Sequence, residues 1–450
     1  MTRPESLSDT ITAIATPPGN GGVGVIRVSG SSLTQFAIEL TGSCPKPRFA
    51  ALSSFRSAAG ETIDQGLLLY FSAPHSFTGE DVLEIQGHGG VVVLQLLLER
   101  CLELGARLAG PGEFTQRAFL NRKIDLIQAE AIADLINAQT KAAAQAAARS
   151  LRGDFSSELS KLESQILSLR VLVEAALDFP EETADPFQDG KITAALQEIQ
   201  SMCRALLGAS VHANLLKVGL HVVLVGRPNV GKSSLLNRLS AADTAIVSPY
   251  PGTTRDTVRA SIQLEGFPIH LADTAGLRET SDSIEKMGIT RTWAELEQAD
   301  LVLWVLDIAQ GWTAEDSNLL ATLPKEIPKI VVWNKSDSVA IEEYPPLSKV
   351  GNADVIVSAR TGEGLDDLKR RLLAHISSPM TCDLSFMARA RHVEALRLVE
   401  KHITEGVHAI SCDLLAENLG KAQEALAAMT GKEIGLDLLG EIFSSFCIGK

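Results

Sequence analysis

No run of about eighteen apolar residues occurs in the chain, so no membrane-spanning helix is expected. No C-x-x-C pair occurs either. The six cysteines, at 44, 101, 203, 382, 412 and 447, are scattered. That argues against a structural zinc site and fits a reducing cytoplasm. Basic charge is in deficit: 41 Lys and Arg stand against 55 Asp and Glu, for a formal net charge of −14. A protein that held nucleic acid through a broad basic face would not show this balance. Any RNA contact must use a local patch, a dimer groove or a basic partner. Residues 1–10 are polar and carry no secretory pattern. What remains is a cytoplasmic protein with ample material for cores, since 45% of it is hydrophobic. Its 450 residues are enough for about three domains.

Five short segments stand out: Gly226-Arg-Pro-Asn-Val-Gly-Lys-Ser233, Thr253-Thr254, Asp273-Thr-Ala-Gly276, Asn334-Lys-Ser-Asp337 and Ser358-Ala359. The first fits the phosphate-binding pattern G-x-x-x-x-G-K-[ST]. Backbone N–H groups in such a loop cradle phosphate oxygens. Lys232 then reaches the β- and γ-phosphates and Ser233 holds Mg²⁺. Asn334-Lys335-x-Asp337 adds the base. A carboxylate at Asp337 accepts both hydrogens of guanine's N1 and N2 edge, and adenine has no matching donor pair. Together the segments describe a GTP pocket formed by Gly226, Asn229, Val230, Gly231, Lys232, Ser233, Ser248, Thr253, Thr254, Asp273, Thr274, Ala275, Gly276, Asn334, Lys335, Asp337, Ser358, Ala359 and Arg360. Ser358-Ala-Arg360 departs from the common Ser-Ala-Lys, but the base needs only the backbone of Ser358 and Ala359.

The surroundings agree. Apolar runs at 219–225, 267–271, 301–306, 330–333 and 355–357 alternate with helical segments near 231–239, 286–299, 314–322 and 363–376. Such alternation predicts a parallel, doubly wound sheet with its ligand at the carboxyl ends of the strands. The expected fold class is multidomain α/β, with a phosphate-loop GTPase domain inserted in a discontinuous helical-bundle domain and preceded by an α+β domain. Residues 124–178 read as helical, with an apolar stripe of Phe155, Leu159, Leu162, Ile166, Leu169 and Val173; Phe179-Pro breaks it. Residues 386–446 are helical again, with Val393, Leu396, Val399, Ile403 and Val407 on a comparable stripe. Two such blocks pack most simply on each other. The expected boundaries are 1–122, 123–217, 218–378 and 379–450.

Residues 1–122 differ in texture. Strands are predicted at 23–28, 66–71 and 81–86, and helices at 33–40 and 91–104. Three glycine-rich stretches, 16–22, 86–90 and 110–114, have two readings: plain turns, or loops that let backbone approach a ligand.

Several segments resemble the MnmE, or TrmE, family of tRNA-modifying GTPases. They are Ala15-Thr-Pro-Pro-Gly19, Gly21-Gly-Val-Gly24, Phe77-Thr-Gly-Glu-Asp81, Gln86-Gly-His-Gly-Gly90, Gly112-Glu-Phe114, Arg117-Ala-Phe-Leu-Asn121, Gln128-Ala-Glu-Ala131, Asp273-Thr-Ala-Gly-Leu-Arg-Glu279 and Phe446-Cys-Ile-Gly-Lys450. They run from one end of the chain to the other, and the terminal pentapeptide is the most diagnostic. The resemblance implies a folate-binding, dimerising N-terminal domain, and a homodimer that joins an MnmG-type FAD protein in a heterotetramer. It also implies the activity: an aminomethyl-type group installed on C5 of the wobble uridine of certain tRNAs, using a 5-formyl or methylene tetrahydrofolate unit. GTP hydrolysis would drive rearrangement of the GTPase domains. Two other classes share the nucleotide motifs. A ribosome-assembly GTPase would carry a basic KH-type appendage, and a dynamin-like GTPase a basic or apolar helical tip. Neither is visible in the sequence.

Where many small GTPases have a water-orienting glutamine, this chain has Leu277. Glu285 reads either as a solvated glutamate at a helix start or, by the resemblance, as the catalytic residue that orients water. The resemblance also puts K⁺ in place of an arginine finger, with Asn229, Ser248, Tyr250 (backbone) and Thr253 as ligands and Thr254 left for Mg²⁺. Ser248 stands where threonine is common and Tyr250 where a smaller residue sits; a hydroxyl and a carbonyl survive both changes. The family's folate-binding residues fall on Arg27, Glu84, Lys123 and Lys450. Arg27 pairs with a glutamyl carboxylate or faces solvent. Cys447 is an unpaired surface thiol or a catalytic residue near the one-carbon chemistry.

Overall fold

The computed structural model describes residues 9–178, 190–242, 259–273, 296, 299–324, 327–340, 354–376, 386–409, 411–431, 436–444, 446, 448 and 449. The chain divides into two compact units: Met1–Ala133 with Leu151–Ser160 and Gln423–Lys450, and Asp134–Ser150 with Lys161–Ala422.

The first unit is built on a six-stranded sheet of β1 (Ile11–Ile14), β2 (Gly21–Gly30), β3 (Ala51–Arg56), β4 (Thr62–Phe71), β5 (Asp81–Gly89) and β6 (Arg107–Leu108). The strand order is β3-β4-β5-β2-β1-β6, antiparallel except between β1 and β6. Strand alternation sends Ile26, Val28, Leu83 and Ile85 to one face. There they pack with Phe36 and Leu40 of α1 (Thr34–Thr41) and Leu94 and Leu97 of α2 (Val91–Glu103). The strands expected at 23–28, 66–71 and 81–86 form β2, β4 and β5. One glycine-rich stretch is neither a turn nor a loop: Gln86 to Gly89 continue β5. Glycine is required by close strand approach, since a Cβ on Gly89 would lie 2.6 Å from the Gly21 carbonyl oxygen. Helix α3 (Glu113–Leu120) completes this segment.

Three helices, α4 (Leu126–Ile136), α5 (Lys141–Arg152) and α6 (Asp154–Asp178), occupy the region expected to be helical at 124–178. The α6 stripe from Phe155 to Val173 is buried throughout. A further helix, α7 (Lys191–Val218), leads into the second sheet. That sheet comprises β7 (Leu220–Val225), β8 (Arg259–Leu264), β9 (Phe267–Asp273), β10 (Leu301–Asp307), β11 (Lys329–Asn334) and β12 (Asp354–Ile356). Helices α8 (Lys232–Ala242), α9 (Ala314–Thr322) and α10 (Leu365–Ile376) interleave with it. The order is β12-β11-β10-β7-β9-β8.

The all-parallel expectation needs one correction. β8 runs antiparallel to β9 at the edge, because Glu265 and Gly266 take positive φ (46° and 92°) and reverse the chain. The other neighbours are parallel. Both faces are covered, which is why the strands read as continuous apolar runs: Val222 and Leu224 enter one cluster, Val223 and Val225 another. The expected helix at 286–299 lies almost entirely outside the described residues. After the sheet come α11 (Ala390–Val407), α12 (Cys412–Thr430) and α13 (Leu436–Ser444). α7 lies against α11, where Arg204 Nε meets Glu400 Oε1 at 2.8 Å and Gln200 Nε2 donates to Thr404 Oγ1 at 3.1 Å. In the first unit, Leu439, Phe443 and Phe446 cluster with Leu126 and Ala129.

Candidate nucleotide-binding site

At the carboxyl end of β7 the chain turns sharply. Asn229 and Gly231 both adopt left-handed backbone, with φ of 64° and 97°. A side chain on Gly231 would overlap the Asn334 amide, so this position admits only glycine. The turn packs residues 226–231 in front of α8. A loop of N–H groups at a helix N-terminus is an anion site by dipole and hydrogen bonding together. Lys232 is buried, and its Nζ donates to the carbonyls of Gly226 (2.8 Å) and Arg227 (3.0 Å). Asn229 and Ser233 are exposed on the loop and on α8.

Asn334, at the end of β11, joins this loop to a second group of residues. Its Nδ2 donates to the Val230 carbonyl at 2.8 Å, and its Oδ1 accepts from the Ala359 N–H at 3.0 Å. Nearby, Ser358 Oγ donates to Asp337 Oδ1, and Arg360 Nη2 pairs with Asp337 Oδ2 at 2.7 Å. The Ser358 hydrogen bond, helped by the Arg360 charge, holds the Asp337 carboxyl below its ordinary value against an opposing effect of desolvation. Lys335 Nζ pairs with Asp307 Oδ2 at 2.8 Å. The structure therefore brings together Gly226, Asn229, Val230, Gly231, Lys232, Ser233, Asn334, Lys335, Asp337, Ser358, Ala359 and Arg360 at the carboxyl edge of the parallel strands.

Ser248, Tyr250, Thr253, Thr254, Thr274, Ala275, Gly276, Glu285, Cys447 and Lys450 lie outside the described residues. Asp273 is described only as the last backbone position of β9. Three residues that the motifs do not single out also belong to this edge: Arg227, Asp307 and Asp316. Asp316 carried a local signal, since Thr313-x-x-Asp316 forms a capping box on α9.

In the first unit, Arg27 is paired within the chain. Its Nε and Nη2 donate to Glu84 Oε1 at 3.1 and 2.8 Å, and its Nη1 donates to the Gly449 carbonyl at 3.3 Å. The rings of Phe77 and Phe114 lie 5.9 and 5.8 Å from its guanidinium. Arg27, Glu84 and Gly449 thus meet on the sheet face opposite α1 and α2. Lys123 is bonded elsewhere, to the Pro74 carbonyl at 2.9 Å.

A phosphate loop between a parallel strand and a helix, joined through Asn334 to the Ser358–Ala359 segment that also holds the Asp337 carboxyl, defines a phosphate-loop GTPase. Residues 126–447 match the family model described as the MnmE helical domain, and residues 10–123 the model described as the GTP-binding protein TrmE N-terminus. Two relatives are each named tRNA modification GTPase MnmE. The protein of Dechloromonas aromatica (strain RCB) is 50% identical over 98% of this chain and 100% of its own length. That of Nitrosomonas europaea is 52% identical over 98% and 99%. The chain belongs to the MnmE (TrmE) family of tRNA modification GTPases. Partial similarity extends to the solved structure of a single-residue variant of Aquifex aeolicus Era bound to GDP·AlF₄⁻ (30% identity, TM-score 0.31, 40% of this chain and 65% of that one). It extends also to the G domain of the Thermotoga maritima FeoB iron transporter (32%, TM-score 0.28, 35% and 99%). No helix among the described residues is long and apolar enough to cross a membrane.

Proposed function

We propose that this GTPase acts, with a flavoprotein partner of the MnmG type, to place an aminomethyl-type group on C5 of the wobble uridine of certain tRNAs. The carrying observation is the Asn334 bridge between the phosphate loop and the backbone of Ala359, beside the Ser358 hydroxyl that donates to Asp337, in a chain of this family. GTP would lie with its phosphates against residues 226–233 and its guanine against Asp337. Lys232 would leave its two loop carbonyls for the β- and γ-phosphates. Ser233, exposed at the start of α8, suits Mg²⁺ with Thr254 as second ligand. Asn229, held by its left-handed backbone at the loop surface, suits K⁺, completed by Ser248, Tyr250 and Thr253. Bound there, these ions would supply positive charge to the loose transition state of phosphoryl transfer. Segment 218–378 is the inserted GTPase domain in this reading, between helical segments 123–217 and 379–450. The protein works as a cytoplasmic homodimer.

Glu285 is assigned to the attacking water. Glu285→Ala is expected to lower kcat by about 10²-fold or more with GTP affinity unchanged, as general-base positioning is worth that much. A raised KM with unchanged kcat would move the residue to binding.

Residues 1–122 are assigned a reduced folate. The support is the grouping of Arg27, Glu84 and Gly449 beside Phe77 and Phe114, which offers charge for a carboxylate or pterin edge and aromatic surface for a ring. Calorimetry on the full chain with 5-formyltetrahydrofolate is expected to show micromolar binding. Arg27→Ala should weaken it by about tenfold, the worth of a charged hydrogen bond. No heat at high micromolar ligand would overturn the assignment.

A further inference from the structure

We infer that Arg227 and Asp316 form a positioning pair for GTP, which sets the phosphate loop through a strap formed by residues 307–316. The inference rests on the nucleotide reading of the site and adds residues to which that reading gives no role. Arg227 Nε donates to Asp316 Oδ1 at 3.0 Å, with 13% of the arginine side chain and none of the aspartate exposed. Arg227 Nη2 is buried and has no hydrogen-bond partner among the described residues. A guanidinium so far removed from solvent depends on Asp316 for its charge balance. The other oxygen of Asp316 is also committed. It accepts from the Thr313 N–H at 2.9 Å and from Thr313 Oγ1 at 2.7 Å, which fixes the carboxylate on the first turn of α9.

The backbone of the same arginine does a second thing. Its carbonyl accepts from Lys232 Nζ at 3.0 Å. Arg227 therefore anchors the loop on α9 through its side chain and holds the phosphate-seeking lysine through its main chain. At the far end of the strap, Asp307 Oδ2 pairs with Lys335 Nζ at 2.8 Å, and the Asp307 side chain is only 6% exposed. The N–H groups of Gln310 and Gly311 both reach the Asp307 carbonyl at 3.1 Å, which fixes the strap internally. One buried carboxylate thus ties the strap to the phosphate loop, and the other ties it to the guanine motif. A cradle of N–H groups works only when held to a fraction of an ångström. Removing the Asp316 charge should loosen grip on the phosphates. It should leave base choice and the chemical step intact.

The test uses the full-length protein with GTP, GDP and XTP. Asp316→Asn keeps the shape and a capping oxygen but removes the charge. It is expected to bind GTP and GDP about tenfold more weakly and to raise KM by a like factor, as for the loss of one charge-assisted bond, with kcat at saturation within about twofold. Preference for GTP over XTP should not change. Arg227→Lys, which keeps the charge, should fall between wild type and Arg227→Met. Melting without nucleotide identifies which variants are folded, and Asp316→Asn decides the matter if Arg227→Met is not. Unchanged GTP affinity in folded Asp316→Asn, or a fall in kcat at constant KM, would overturn the positioning role. Wild-type protein that binds no GTP would instead overturn the nucleotide reading itself.

Discussion

In potassium chloride the protein is expected to hydrolyse GTP at least about tenfold faster than in sodium chloride at equal ionic strength, because a cation in the place of an arginine finger stands in for a group worth about 10³–10⁵ in rate. The transition state for phosphoryl transfer spreads negative charge over the transferring oxygens, and fixed positive charge beside it lowers the barrier. Na⁺ and K⁺ carry the same charge. They differ in size, so a cage of oxygens set for the larger ion holds the smaller one poorly. Asn229 is exposed on the phosphate loop with a left-handed backbone, and its amide oxygen is the ligand proposed from this part of the chain. Asn229→Ala should erase the difference between the two salts while GTP still binds. Rb⁺ and NH₄⁺, near K⁺ in size, should substitute for it. Identical wild-type rates in the two salts would contradict the proposal.

Replacing Asp337, the carboxylate proposed to read guanine, should have the next largest effect. Asp337→Asn is expected to weaken GTP binding by roughly 10²–10⁴-fold, since the acceptor loses its charge and the new amide NH₂ opposes one of guanine's two donors. The same change should favour xanthine nucleotides. Asparagine offers one acceptor and one donor, which suits the N1–H and C2 carbonyl of xanthine as the carboxylate suits the two donors of guanine. A competition assay with GTP, XTP and ATP reads both effects; an unchanged GTP-to-XTP ratio would remove Asp337 from base recognition. The wild-type carboxyl lies below its ordinary value, chiefly through the Ser358 hydrogen bond and then through Arg360. A depressed folded value means that these contacts contribute stability above the ordinary aspartate pKa and lose it as pH falls through the lowered one. GTP recognition should accordingly persist to a pH below the ordinary aspartate range.

The sequence made these residues legible for identifiable reasons. Gly231 has no alternative, because a Cβ would strike Asn334. Leu301–Leu306 reads as a strand because both of its faces are buried. The Phe155–Val173 stripe is visible because helical spacing repeats it, and the comparable stripe in α11 holds as far as Ile403, while Val407 is 37% exposed. Other features left no clear mark. β8 sits at the sheet edge and reverses direction through Glu265 and Gly266, which apolar patterning does not announce. The buried face of α7 keeps Ile192, Leu196, Ile199, Leu206 and Leu216 but interposes the smaller Cys203, Ala209, Ser210 and Ala213, so its stripe is diluted in the second half. Side-chain pairing was hidden altogether. Arg227 and Asp316 are 89 residues apart, and Arg27 and Glu84 are 57 apart. No local spacing brings such partners together; only the assembled sheets do.

The central claim is that this GTPase serves modification of the wobble uridine. Mass spectrometry of tRNA nucleosides from cells lacking the protein, beside cells with it restored, tests that claim most directly. Loss of the C5 aminomethyl-type group from the wobble uridine on deletion, with its return on complementation, is the expected result. Unchanged wobble uridine in the deletion strain would contradict the account.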